Sequence, residues 1–223
     1  MGNSIKTNLS EILKSISPGV KLVVVSKTHP AETIMQAYEA GQRIFGENRV
    51  QELTAKQPVL PSDIQWHLIG HLQTNKVKYI APFVSAIHSV DSVKLLKEIN
   101  REAVKNKRVI PCLLQIFIAD EETKFGFSER ELTDALNENP PKDFPGVKFS
   151  GLMGMATFTN DNEKIRSEFR TLKTIFGKIK SEYFADNNSF SEISMGMSGD
   201  YRIAIEEGST MIRIGSLIFG SRY

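Results

Sequence analysis

The stretch KLVVVSK, residues 21–27, decides the fold class. A short valine-rich run suits a strand buried on both faces, as in a parallel sheet covered by helices. Ahead of it, Leu9, Ile12, Leu13 and Ile16 recur at helical spacing, so an extra N-terminal helix precedes the first strand. After it, Pro30 suits the first position of a helix, and Ile34, Ala37 and Tyr38 repeat at helical spacing. Gly41 can then supply the left-handed residue that stops this helix near residue 40.

The same alternation continues along the chain. RIFGEN (43–48) leads into a helix over 48–56, and QWHLIG (65–70) into one over 73–80. AIHSV (86–90) is followed by Asp91 as the cap of a helix reaching about 106. IPCLLQIFI (110–118) is the fifth strand, and Ser128 with Glu131 has capping-box spacing beyond it. KFSGLMGM (148–155) is the sixth, followed by a helical stripe of Ile165, Phe169, Leu172, Phe176 and Ile179. SEISMG (191–196) and MIRIG (211–215) complete the series, with a short helix over 200–207 between them. Strands and helices alternating in this number make the expected fold α/β, a single (β/α)8 TIM barrel; periodicity alone leaves an open doubly wound sheet as the alternative. No repeat or low-complexity linker interrupts residues 1–223, which are read as one domain.

Composition bounds the function. The 223 residues are 40% hydrophobic and 24% charged with a formal net charge of +2, enough apolar content for a core and too little charge clustering for a nucleic-acid arm. Cys112 is the only cysteine, so no intrachain disulfide forms, and its apolar surroundings point to a buried, inert thiol. MGNSIKTNLSEILK lacks the apolar segment of an export signal, and no run approaches the ~20 apolar residues of a bilayer span. The expectation is a cytoplasmic protein with no membrane and no nucleic-acid partner.

Barrel sites form at the C-terminal ends of strands, and phosphates commonly bind after the seventh and eighth. Val23, Val25 and Lys27 share one face of the first strand, so an inward face carries the Lys27 ammonium to the barrel mouth. Partial desolvation there would favour the free amine, which condenses with aldehydes; the alternative is a strand-end lysine reaching into solvent. SMGMSGD (194–200) and RIGSLIFG (213–220) read as two halves of a phosphate cradle, or as two ordinary Gly/Ser turns. Met211, Arg213 and Gly215 share a face, so Arg213 projects into the barrel, towards a ring nitrogen or a lining carboxylate. Asn48 is either a donor to a phenolate oxygen or a helix cap. His67 and His71 have no metal pattern, and Met153, Met155, Met195 and Met197 form either a wall for a flat ring or part of a core.

Taken together, VVVSKTHP, FGENRVQE, WHLIGHLQTNK, GLMGMA, SMGMSGD, AIEEGSTMIRIG and IFGSR make the chain resemble the pyridoxal phosphate homeostasis protein family (the YggS/PROSC group), itself similar to the N-terminal barrel of alanine racemase. The resemblance runs over nearly the whole chain. It implies pyridoxal phosphate (PLP) as cofactor, a Schiff base at Lys27, and phosphate contacts around Ser194, Ser198, Gly215 and Ser216. It also sets Arg213 beside the pyridine nitrogen; Asn48, His67 and Met195 complete the candidate cofactor set. Ser216 stands where many members have Thr, and His29 replaces a basic residue; neither departure removes a needed group.

A racemase needs acids and bases on both faces of the substrate Cα, and alanine racemase draws one from a second domain for which this chain has no room. The expected role is therefore a non-catalytic carrier that buffers or delivers PLP, with no catalytic or metal-binding residues. It would be a monomer that meets PLP-dependent apoenzymes transiently. The alternatives are a small PLP-dependent racemase or lyase, and a cofactor-free barrel enzyme acting on a sugar phosphate.

Overall fold

The computed structural model describes residues 4–119 and 125–220. Eight parallel strands close into a barrel in chain order: β1 (Lys21–Val25), β2 (Ile44–Glu47), β3 (Gln65–Leu68), β4 (Ala86–Val90), β5 (Ile110–Gln115), β6 (Val147–Met153), β7 (Glu192–Ser194) and β8 (Met211–Ile214). The last strand pairs with the first, Lys21 opposite Met211 and Val23 opposite Arg213, so the sheet is closed and the doubly wound alternative falls. The helices are α1 (Ile5–Ser15), α2 (Ala31–Glu39), α3 (Val50–Lys56), α4 (Val77–Ile80), α5 (Val93–Lys105), α6 (Glu129–Glu138), α7 (Asn162–Tyr183), α8 (Tyr201–Glu206) and α9 (Ser216–Phe219).

Side-chain alternation sorts the strands into two environments. Leu22 and Val24 point outward and join the main apolar cluster beneath the helices, with Phe45, Trp66, Ile87 and Ile212 from other strands. Val23 and Val25 are equally buried but lie outside that cluster, on the inward face. The stripe on α7 behaves as its spacing predicts: Ile165, Phe169, Leu172, Phe176 and Ile179 are all buried, and each such side chain contributes roughly 1.5–3 kcal/mol.

Several helix ends differ from expectation. Pro30 is the N-cap of α2, one position before the helix begins, although Gly41 does take the left-handed conformation after it. Ser92, not Asp91, caps α5, its hydroxyl accepting from Leu95 N; Asp91 Oδ2 instead pairs with His71 Nδ1 at 2.9 Å. The helix after β2 starts at Val50 with Arg49 as its cap, so Asn48 has no capping role. The segment after β3 is a 3-10 turn, Thr74–Lys76, running into the short α4. The capping box of Ser128 and Glu131 is present as expected.

One glycine is imposed by the sheet itself. β6 slips register against β5 beside Gly151, which has φ +149°, and a Cβ there would sit 1.8 Å from the Glu192 carbonyl oxygen of β7.

Candidate cofactor-binding site

A cavity of about 670 Å³ opens at the C-terminal ends of the strands. Six of the sequence candidates line it: Lys27, Asn48, Ser198, Arg213, Gly215 and Ser216. Lys27 stands two residues beyond Val25, and the inward face of β1 therefore delivers its side chain to the mouth. Gly215 lies against β1 so closely that a Cβ would come within 3.0 Å of the Val25 carbonyl oxygen. Met155 and Met197 add apolar lining, as the flat-ring wall requires.

Arg213 is 4% exposed, and its guanidinium donates to Ser194 Oγ at 2.7 Å and to the Gly154 carbonyl at 3.1 Å. Among the described residues no carboxylate lies within ion-pair distance of it, and its partners are a hydroxyl and a carbonyl. Burial pushes Arg213 down to about 10, with Asp200 pulling it back up, and it stays charged at neutral pH. Beneath it runs a chain of buried polar groups. His88 Nδ1 lies 3.1 Å from Ser194 Oγ, and His88 Nε2 lies 2.9 Å from His67 Nδ1. A guanidinium only donates, so Ser194 Oγ accepts from Arg213 and has its own proton to give to His88 Nδ1. His88 then donates from Nε2 to His67, an assignment made from the network. Burial holds His67 down at about 4, with Lys21 adding to it, and burial likewise keeps His88 well below its ordinary value. Both imidazoles are neutral, which such a chain requires.

Three candidates therefore lie off the cavity. Ser194 and His67 are inward-facing but one layer deeper, where they serve Arg213 and His88 instead of lining the cavity. Met195 is a correction: strand alternation continues one residue past β7, so its side chain turns outward into the apolar cluster with Ile193. Sequence reading missed His88, though a lone histidine in the apolar AIHSV, on the strand next to His67, was its signal. It also missed Asp200, which lines the cavity and accepts from Met197 N.

The loops after β7 and β8 have backbone donors to spare. Among the described residues, the amides of Ser198, Gly199, Ser216 and Leu217 find no protein acceptor, and such groups together with two hydroxyls suit an anion. His71 also lines the cavity; its ring stacks on Phe125 at 3.9 Å and its Nδ1 is held by Asp91. No group of three or more His, Cys, Asp or Glu among the described residues is arranged for a metal ion. Ser221 and Arg222, which end the IFGSR block, lie outside the described residues.

A family model described as alanine racemase, N-terminal domain, matches residues 2–223. The pyridoxal phosphate homeostasis protein of Aquifex aeolicus is 41% identical over 203 residues, 91% of this chain and 87% of that protein. The chain belongs to this family. Among solved structures, PipY of Synechococcus elongatus with PLP bound is 35% identical with a TM-score of 0.88, covering 97% of this chain and 100% of that one. Alanine racemase from Bartonella henselae, at 16% identity and TM-score 0.70, shares the barrel fold over 98% of this chain and 60% of its own.

Proposed function

We propose that this protein binds pyridoxal phosphate in the barrel-mouth cavity, with Lys27 as its point of attachment, and serves PLP homeostasis by buffering or delivering the cofactor without catalysis. The observation that carries this reading is the convergence of Lys27, Arg213 and the amides after β7 and β8 on one cavity. When bound, PLP supplies an aldehyde carbon with which a free lysine amine condenses, the aldehyde oxygen leaving as water with both amine hydrogens. The chain offers a group for each part of that molecule. Lys27 Nζ is the amine. Ser198, Ser216 and their neighbouring amides suit the phosphate, and Asn48 has a donor for the phenolic oxygen. Arg213, already fixed by Ser194 and Gly154, has further N–H groups to give to the ring nitrogen.

The same arginine supports a carrier. It donates a hydrogen bond without yielding its proton, so the ring nitrogen stays unprotonated and the ring is a weak electron sink. Apart from Lys27 and Arg213, the acid–base groups on the described lining are His71 and Asp200, the latter engaged with Met197 N. One observation favours a racemase or lyase as the second reading: Asp91 orients the His71 imidazole at the mouth, as an acid orients a catalytic base.

Transient meeting with PLP-requiring apoenzymes is part of the proposal, and the fully exposed Phe158 at the cavity supports a surface that other proteins can touch. A cytoplasmic location also belongs to it; no helix among the described residues is long and apolar enough to cross a membrane.

Borohydride reduction of the PLP-loaded protein, followed by peptide mapping, tests the reading. The expected adduct is on the Lys27 peptide and is absent in Lys27→Ala; an adduct elsewhere, or none, rejects it. Exchange of the Cα hydrogen of an amino acid, lost in His71→Asn, would favour the second reading.

A further inference from the structure

The two residues that flank Lys27 are both held by one charged cluster, buried at Glu47 and Lys56 and half-buried at Glu52, that the function above does not use. Ser26, fully buried, donates its hydroxyl to Glu47 Oε1 at 2.6 Å, and its carbonyl accepts from Lys56 Nζ at 2.9 Å. Thr28 N donates to Glu52 Oε2 at 2.6 Å. Lys56 Nζ joins the two acids, 2.7 Å from Glu47 Oε1 and 3.2 Å from Glu52 Oε2. Glu47 points outward from β2, under α3, and Glu52 and Lys56 lie one helical turn apart on α3. Both glutamates belong to the FGENRVQE block.

Two features set this cluster apart from ordinary packing. Thr28 is exposed and β-branched, yet it has φ +68°, a left-handed conformation that such residues avoid unless their surroundings impose it. Glu47 is fully buried and its Oε2 has no hydrogen-bond partner, so the charges are not arranged for their own satisfaction. Buried ion pairs of this kind are often replaceable by apolar residues without loss of stability.

We propose that Glu52, Lys56 and Glu47 are positioning residues for Lys27, clamping the Ser26–Thr28 turn in its left-handed form so that the Lys27 amine meets the cofactor's aldehyde. This rests on the reading of Lys27 as the attachment point. The clamp grips Ser26 and Thr28 and does not touch the lining after β7 and β8, so it governs covalent attachment and leaves noncovalent recognition alone.

The test compares PLP with pyridoxine 5′-phosphate, which has the same phosphate and ring but an alcohol for the aldehyde. In Glu52→Ala the affinity for PLP falls by about tenfold, the size of one imposed backbone strain, while that for pyridoxine 5′-phosphate stays within about twofold. Glu52→Gln, which keeps an acceptor for Thr28 N, loses less. Adding Thr28→Gly to Glu52→Ala restores PLP affinity, because glycine adopts the turn unaided. Unchanged PLP affinity in Glu52→Ala, or equal weakening of both ligands, overturns the clamp. Should Glu52→Ala not fold, the comparison passes to Lys56→Met with the same two outcomes. A wild-type protein that gives no borohydride adduct at Lys27 defeats the functional reading itself, whereas a wild-type adduct with an indifferent Glu52→Ala defeats only the clamp.

Discussion

Arg213 reaches Ser194 Oγ at 2.7 Å, so the cation facing the cavity is steadied by a hydroxyl and a carbonyl, with no ion-paired carboxylate among the described residues. Ser194→Ala leaves that guanidinium short of an acceptor and the His88 Nδ1 short of a donor. Stability is expected to fall by about 1–3 kcal/mol, read as a lower urea midpoint at unchanged slope.

Acid should weaken the fold through the histidine pair. Folded His67 is depressed to about 4 from an ordinary 6.5 by burial, and His88 is depressed as well. The unfolded chain therefore takes up protons first as pH falls below 6.5, while the folded chain resists. The His67 share of the stability present at pH 7 is lost between 6.5 and about 4, by up to about 1.4 kcal/mol per pH unit, and His88 adds a loss of the same sign. Urea titrations across that window check this, and His67→Gln should flatten the dependence.

Gly151→Ala is expected to be among the most damaging single changes. The added methyl meets the Glu192 carbonyl oxygen at 1.8 Å, on a backbone with φ +149°. Relief requires β6 and β7 to part, at a cost of more than about 4 kcal/mol. Thermal melting and soluble yield report it.

Cys112 should ignore thiol reagents in the native protein. It is buried in β5, and burial pushes its thiol up, away from the reactive thiolate. Labelling with a chromogenic disulfide should be negligible until denaturant is added, then complete; rapid native labelling would mean that β5 opens locally.

Much of this molecule is legible from local rules, and its departures have local causes. Alternation sorts each strand into two faces, and closure of the β1–β8 seam makes the face of Val23, Val25 and Arg213 the inward one. A cap is not decided locally where two suitable residues adjoin: Asp91 and Ser92 both qualify, and the tertiary partner His71 decides by claiming Asp91. Met195 and Met197 share a strand parity, but the chain leaves the extended form at Gly196 (φ +95°), so Met197 turns into the cavity beside Met155 while Met195 stays in the apolar cluster. Long-range pairings such as His67 with His88, or Thr28 with Glu52, have no local signature, since they depend on which strands and helices become neighbours.

The seam between β1 and β8 has a temporal meaning. Lys27 is translated well before Gly215 and Ser216, which line the cavity with it beyond the seam. A nascent chain therefore owns the amine without the rest of the grip, and ligand capture has to wait until β8 and the loop after it have been made and the seam has zipped. Colour from bound vitamin would thus report completed barrels and stay silent on truncated ones.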